Sequence, residues 1–434
     1  MAAVPGITVQ NRQNYAQDLQ ISSRGFGARS AFGVRGIRLI ADGIPASMPD
    51  GQGQAATFNL DRAERIEVMR GPMSSIYGNH AGGVIQMFTK DGQGTPTVEG
   101  GFVAGSFGTR KIDLSAQGEV NGIGYVIDAS HFTTDGYRDH SAADRDQTMA
   151  KLTYRPSADG KLTLIANTFK QDAQDPQGLA WGVYQVNPRS VSSGTLQYDT
   201  RKTIDHTQGG LTYEHRFGEH TVQFSAYAGQ RSTIQYQSTP IANQAPTTQA
   251  GGVVDFDRNF SGVSSSWSGR FGLAGGQLTT TVGFNYEQAT DDRRGYENFV
   301  GGIDYTQLCN VYTCGVKGKL RRDEKDTVSS FDQFAQAEWQ GERWNFTGGI
   351  RHSRVAFKID DHYIATGNVD DSGSLAYDKT TPMLATMVRL NESVNLYASA
   401  AKGFEAPTFN EMFYSGPGGT FSTSLKPSTS THYE

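Results

Sequence analysis

The chain has 434 residues, room for two or three ordinary domains or one large one. Its formal net charge of -5, with no basic run, excludes the electrostatic footprint of a nucleic-acid binder. A mean hydropathy of -0.50 and no apolar run near ~18 residues exclude transmembrane helices, but not membrane strands, which need only one apolar face.

The opening MAAVPGITVQ has neither a basic n-region nor an apolar h-region, so no signal peptide is visible. Either the protein is cytoplasmic or its true N-terminus lies upstream, and the rest of the chain favours the second. Through residues 1–95 the apolar stretches are short: IRLIADGI at 37–44, RIEVMR at 65–70 and GGVIQMFT at 82–89. Glycines interrupt them, and Asp42-Gly43 followed by Ile44-Pro45 signals a turn. This reads as a small mixed domain of short strands and turns.

From about residue 98 the pattern changes to segments of roughly 9–14 residues that alternate apolar and polar. In TVQFSAYAG (221–229), Val222, Phe224, Ala226 and Ala228 share one face, opposite Gln223, Ser225 and Tyr227. LTTTVGFNY (278–286) sets Leu278, Val282, Phe284 and Tyr286 against threonines and Asn285, and in WNFTGGIR (344–351) Trp344, Phe346 and Ile350 oppose Asn345, Thr347 and Arg351. Soluble sandwiches also alternate, but their strands average about 5–6 residues, whereas tilted membrane strands need about 9–11.

About 13 strands are predicted, near 97–105, 108–118, 123–133, 146–155, 161–169, 204–215, 220–230, 257–270, 277–288, 328–339, 342–352, 378–390 and 393–401. Links after even-numbered strands are tight, as in EVNG (119–122), FGEH (217–220) and LNE (390–392). Beyond the first, links after odd-numbered strands are long: 134–145, 170–203, 231–256, 289–327, 353–377 and everything after 401. This parity is how up-and-down outer-membrane barrels distribute periplasmic turns and extracellular loops. Cys309 and Cys314, within one long link, are either a disulfide closing a small loop or a pair of free thiols, and the disulfide is the favoured reading. No histidine lies close in sequence, which argues against zinc.

The pieces VPGITVQ (4–10), SRGFGAR (23–29), VRGIRLIADGIP (34–45), LDRAERIEVMRGPMSSIYG (60–78) and NHAGGVIQMFTK (79–90) resemble, in order, the plug domain of TonB-dependent receptors. GFEAPTFNEMF (403–413) and LKPSTSTHYE (425–434) are similar to paired segments around a late extracellular loop of that family. The resemblance implies a mainly β fold: a transmembrane antiparallel barrel, residues 96–434, whose lumen holds an incomplete α+β plug, residues 1–95. It implies a Gram-negative outer-membrane location, TonB and a ferric chelate as partners, and contact with outer-membrane lipid and lipopolysaccharide. Family barrels have 22 strands. The chain is therefore expected to be a fragment lacking the short TonB-contacting box, and unable to transport as it stands.

In the family, plug arginines pair with glutamates of the inner wall. Arg35 and Arg70 are the candidates, and Glu338 is a wall partner by phase, sharing its face with Gln336 and Asp332. The competing reading is solvated surface arginines.

Anionic ferric chelates call for cations and aromatic faces. Candidates are Trp181, Tyr184, Arg189, Tyr198 and Arg201 in one long link, and Arg293, Arg294, Tyr296, Tyr305 and Tyr312 in another. The plainer alternative is an interfacial aromatic girdle with arginines touching lipopolysaccharide. His80, in YGNHAGG, is a candidate iron contact. Haem receptors of the family carry an arginine where this chain has Glu405 and a histidine where residues 408–424 have none, so haem is disfavoured; no methionine or histidine cluster recommends copper.

No glycine-rich phosphate loop, GxSxG or HExxH is present, so no enzyme and no bound cofactor is expected. A passive porin has no preceding plug, and a signalling receptor would need a further N-terminal domain. Cobalamin, another metal chelate or a sugar remains the alternative cargo.

Overall fold

The structure, a computed structural model, describes residues 4–10, 14–30, 33–71, 77–415 and 421–434. One antiparallel sheet of 14 strands dominates it. In chain order these are β9 (Thr97–Ala104), β10 (Arg110–Val120), β11 (Ile123–Thr134), β12 (Ala143–Ser157), β13 (Gly160–Gln174), β14 (Arg201–Phe217), β15 (His220–Tyr236), β16 (Val253–Leu273), β17 (Gly276–Tyr296), β20 (Leu320–Gln340), β21 (Trp344–Asp361), β22 (Gly373–Arg389), β23 (Asn395–Glu405) and β24 (Ser428–Tyr433). Each pairs with its sequence neighbour, and β9 and β24 are the two ends of the sheet. A short hairpin, β18 (Phe299–Val300) with β19 (Thr313–Cys314), folds within the β17–β20 link.

The alternation sets the two faces. Phe224 lies opposite Tyr213, Tyr286 opposite Val263, and Phe346 opposite Trp339, all on the outer face. Asp128, Glu287 and Arg351, on the other phase, are buried on the inner side. At the short-turn end, outer aromatics gather: Trp344 stacks on Phe346 with centroids 5.7 Å apart, and Trp339 lies 6.0 Å from the same ring.

All 13 expected strands are present, but most run further toward the long links than alternation suggested. Expected at 277–288, β17 reaches Tyr296; expected at 328–339, β20 begins at Leu320. The added residues, ATDDRRGY and LRRDEKDT, offer no apolar outer face, so the pattern stops while the hydrogen-bond ladder continues. On β21 the pattern inverts. Trp344, Phe346 and Ile350 face outward, yet higher up Val355, Phe357 and Ile359 point inward and are buried, while Arg354 and Lys358 take the outer face.

Before β9 come the small strands β1 (Ile7–Gln10), β2 (Gln20–Ser23), β3 (Val34–Arg35), β4 (Ile37–Ala41), β5 (Ile44–Pro45), β6 (Gln52–Gly53), β7 (Ala63–Met69) and β8 (Gly83–Thr89). Four of them form a sheet in the order β5-β4-β8-β7, with β4 and β8 parallel. Ile21, Val34, Ile37, Leu39, Ile85 and Met87 are its core. Its described helical part is two 3-10 turns, Ala55–Thr57 and Leu60–Arg62. Ion pairs and hydrogen bonds tie this unit to the inner face of the large sheet, in the position the resemblance assigns to a plug.

Candidate functional site

The plug is seated by charge. Arg38 on β4 points into the wall and donates to the carboxylate of Glu287 on β17, its Nη1 3.3 Å from Oε2 and its Nη2 on Oε1. The Tyr227 hydroxyl on β15 donates to the same Glu287 Oε1 at 3.2 Å. The paired side chains are only 8% and 4% exposed. Arg62 meets Asp128 of β11 at 2.9 Å, and Asn59 Nδ2 donates to the other oxygen of that carboxylate at 2.7 Å. Lys151 of β12 reaches Asp42 at 3.0 Å and Asp91 at 2.9 Å, and Lys161 of β13 adds a contact to Asp91 at 2.7 Å.

Of the expected lock residues, Arg35 pairs with Glu411 in the link after β23 and donates to the carbonyl of Ala406 at 3.1 Å. Burial lowers its pKa, partly offset by Glu405 and Asp50. Arg70 lies beside Gly6, and among the described residues neither Arg70 nor Glu338 enters an ion pair. Glu338 faces inward, but it pairs in register with Thr279, eight residues below Glu287 on β17, or about 26 Å at ~3.3 Å per residue. Arg38 engages β17 eight residues above that level. Glu287 carried the same signal as Glu338, a carboxylate on a polar strand face; what the sequence lacked was depth.

On the long-link side lies a cavity of about 1010 Å³ between the plug and the β13–β14 and β15–β16 links. Trp181 and Tyr184 line it from α1 (Trp181–Val186), stacked with centroids 5.4 Å apart. Asn14 and Gln17 of the plug, Tyr137, Arg138 and Asp175 also line it, none of them singled out by the sequence. Arg189 sits outside the lining, 5.6 Å over the rings of Phe107 and Tyr137.

The other loop candidates are dispersed. Tyr198, Tyr312 and half-buried Tyr305 pack with Ile241 and Phe299 as a small core of the loops themselves, against which Cys309 and Cys314 also pack, joined in a disulfide with Cα atoms 5.5 Å apart. Arg201 lies 3.6 Å over Tyr236 and pairs with Asp199 at 2.6 Å. Arg293 faces inward, 4.6 Å over the Phe413 ring and 3.8 Å from Glu324. Arg294 is on the outer phase with Asp323, and Tyr296 lies under Lys317.

His80 is 1% exposed and lines no part of the cavity. Burial, then the nearby charges of Arg38 and Arg351, hold its pKa well below the ordinary imidazole value.

Residues 150–434 match the family described as TonB dependent receptor-like, beta-barrel, and residues 1–84 match the TonB-dependent receptor plug domain. The vitamin B12 transporter BtuB of Photobacterium profundum is 24% identical over 425 residues, covering 96% of this chain and 59% of that protein. The rhizobactin receptor of Rhizobium meliloti is 22% identical over 442 residues, covering 88% and 56%. The ferric aerobactin receptor of Klebsiella pneumoniae is 23% identical over 452 residues, covering 93% and 58%. The chain thus spans less than two thirds of each relative. Among solved structures, the unliganded ferric citrate transporter FecA superposes with a TM-score of 0.75 at 20% identity, over 99% of this chain and 63% of that one. The siderophore receptor PiuA of Acinetobacter baumannii gives 0.74 at 16% identity, over 99% and 65%. With a plug seated by buried ion pairs against a meander of alternating strands, and with both family descriptions matched in order along it, the chain belongs to the TonB-dependent receptors, outer-membrane barrels of Gram-negative bacteria.

Proposed function

We propose that the intact protein imports a ferric-siderophore-type chelate across the Gram-negative outer membrane, driven through TonB. The observation that carries this reading is the arrangement along the barrel axis. An aromatic cavity opens among the long links, partly floored by the plug residues Asn14 and Gln17, and below it the plug is pinned by Arg38–Glu287 and Arg62–Asp128. In the intact barrel a ligand held above would pass only once the plug is loosened, and a pull on its N-terminal side is what TonB supplies in this family. Outer-membrane lipid and lipopolysaccharide would surround the outer face. The siderophore receptors among the relatives support iron; the vitamin B12 transporter supports a corrinoid as the second reading.

The test is growth of a deletion strain on a panel of ferric siderophores as sole iron sources. Loss of growth on one chelate, restored by the intact gene, is expected. Normal growth on every iron source, with a defect on cobalamin or a sugar, would overturn the iron reading.

A further inference from the structure

At the level where the plug is seated, one row of the inner wall runs Lys151, Ile165, Gly210, Tyr227, Gly262 and Glu287. Each lies opposite the next in register, from β12 to β17. The two ends of the row are charged, and the plug takes both: Lys151 holds Asp42 at 3.0 Å, and Glu287 holds Arg38. Between them lie five strand spacings of about 4.8 Å, roughly 24 Å of wall without a charged side chain in the row.

The plug meets this stretch with the turn between β4 and β5. Ile44, 1% exposed, lies so near Gly210 that a Cβ there would collide with Ile44 Cδ1. A Cβ on Gly43 would come within 3.2 Å of Thr212 Cγ2, and the Tyr227 ring leaves no room for one on Gly262. The turn is therefore anchored by charge at Asp42, and two residues later it touches the wall by contact alone.

One row further toward the short turns the wall is polar and uncharged. Thr163, Thr212, Ser225, Ser264 and Asn285 again lie each opposite the next. All five line a cavity of about 440 Å³ that has β8 of the plug on its other side. Hydroxyls and a carboxamide donate as well as accept, so this surface suits a polar solute of either charge. Open, wettable space thus begins directly below the contact made by Ile44. Parting Arg38 from Glu287 leaves a charge unpaired in the interior, whereas parting Ile44 from Gly210 uncovers one aliphatic side chain, the smaller cost.

We propose that the β4–β5 turn is the gate of the intact receptor. Solute passes along the β13–β16 wall, between the two seated ion pairs, past Ile44 and into the hydroxyl-lined cavity. The route rests on the import reading for its cargo, but the place of the weakest seal does not, and salt alone can probe it.

The experiment is planar-bilayer conductance of the intact protein in KCl, with barrel folding checked by heat-modifiable electrophoretic mobility. The wild type is expected to be closed. Ile44→Ala withdraws the seal while both ion pairs stay, and should raise conductance at least about tenfold. Ile44→Val, the milder truncation, should give a smaller rise and serves if the alanine variant does not fold. In the conducting background a thiol is then placed on the route with Ser264→Cys. For comparison Ser115→Cys puts one on β10, opposite Asp128 and beside the Arg62 pair. Cys309 and Cys314 are bonded to each other and do not react. A positively charged methanethiosulfonate should cut the current at least about threefold with Ser264→Cys and leave it unchanged with Ser115→Cys.

No rise in conductance from a folded Ile44 variant overturns the gate and leaves import standing. Block with Ser115→Cys, alone or together with Ser264→Cys, means that the plug has parted elsewhere or left as a whole, and overturns the route. The expected conductance and block, in a strain that grows normally on every iron source, keeps the gate and removes the iron reading.

Discussion

Replacing Glu287 with glutamine strands the Arg38 guanidinium. Both side chains are more than nine-tenths buried, and the carboxylate takes two bonds from Arg38 and one from Tyr227. Removing one partner of such a pair costs about 3–5 kcal/mol, because the remaining charge is left in a poorly polarisable site. Replacing both with apolar residues of similar size is close to neutral, since the desolvation cost goes with the charges. Glu287→Gln and Arg38→Met should therefore each loosen the plug by about 3 kcal/mol, and the double variant Arg38→Met/Glu287→Met should recover most of it. Hydrogen exchange at the β4 and β8 amides reads this directly, because local opening sets their rate. A cost of about 3 kcal/mol accelerates exchange roughly a hundredfold in either single variant, with the wall strands β14–β16 unchanged. Acceleration below about threefold, or a double variant as loose as the sum of the singles, would refute the idea that this pair seats the plug.

Gly36 has φ +69, and a Cβ there would collide with the Glu405 carboxylate, whereas Gly94 has φ +70 with nothing within 4 Å. Gly36→Ala should thus destabilise by the backbone strain of about 1–2 kcal/mol plus a collision term, and Gly94→Ala by the strain alone; denaturant unfolding distinguishes them. Reducing Cys309–Cys314, which closes a loop with a sequence separation of 5, should cost about 2 kcal/mol locally. The loss should appear as faster proteolysis of the β17–β20 link, with ligand affinity at the Trp181 cavity unchanged. His80 binds its proton less readily folded than unfolded, so it costs nothing well above pH 6.5 and lowers stability as pH falls below that value. The slope is up to about 1.4 kcal/mol per pH unit, and His80→Gln should flatten it in unfolding curves taken at about pH 5 and 7.

Much of the large sheet was legible because each strand alternates apolar and polar residues over the stretch where its outer face is an apolar band. Where the strands rise beyond it the rule lapses, and DDRRGY or RRDEKDT reads as loop although the ladder persists. The site was less legible. Trp181 and Tyr184 announced themselves as aromatics in a long link. Their neighbours Asn14 and Gln17 did not, because they reach Asp175 from 161 and 158 residues away and carry no pattern of their own. Tyr198 and Tyr312 looked alike in sequence to Trp181, but they became the loops' private core beside Phe299. An aromatic residue in a loop either lines a cavity or packs on another loop, and composition does not separate the two.

The plug is held differently by the two sides of its wall. Toward β11–β17 the contacts are ion pairs: Asp128, Lys151, Lys161 and Glu287 each meet a plug side chain. Toward β20–β24 apolar packing is joined by the more exposed pairs Arg35–Glu411 and Arg24–Glu434. Met48 from the plug packs with Val355, Phe357 and Phe404, and with Phe409, Met412 and Phe413 of the short helix Phe409–Ser415 in the link after β23. Apolar contact is non-directional and tolerates small slides. A buried ion pair does not, because a shift of a few ångströms leaves a charge unpaired in the interior. The buried pairs Arg38–Glu287 and Arg62–Asp128 on the β11–β17 wall therefore constrain the plug's depth and rotation most tightly, and Arg35–Glu411 adds a more exposed constraint from the helix after β23.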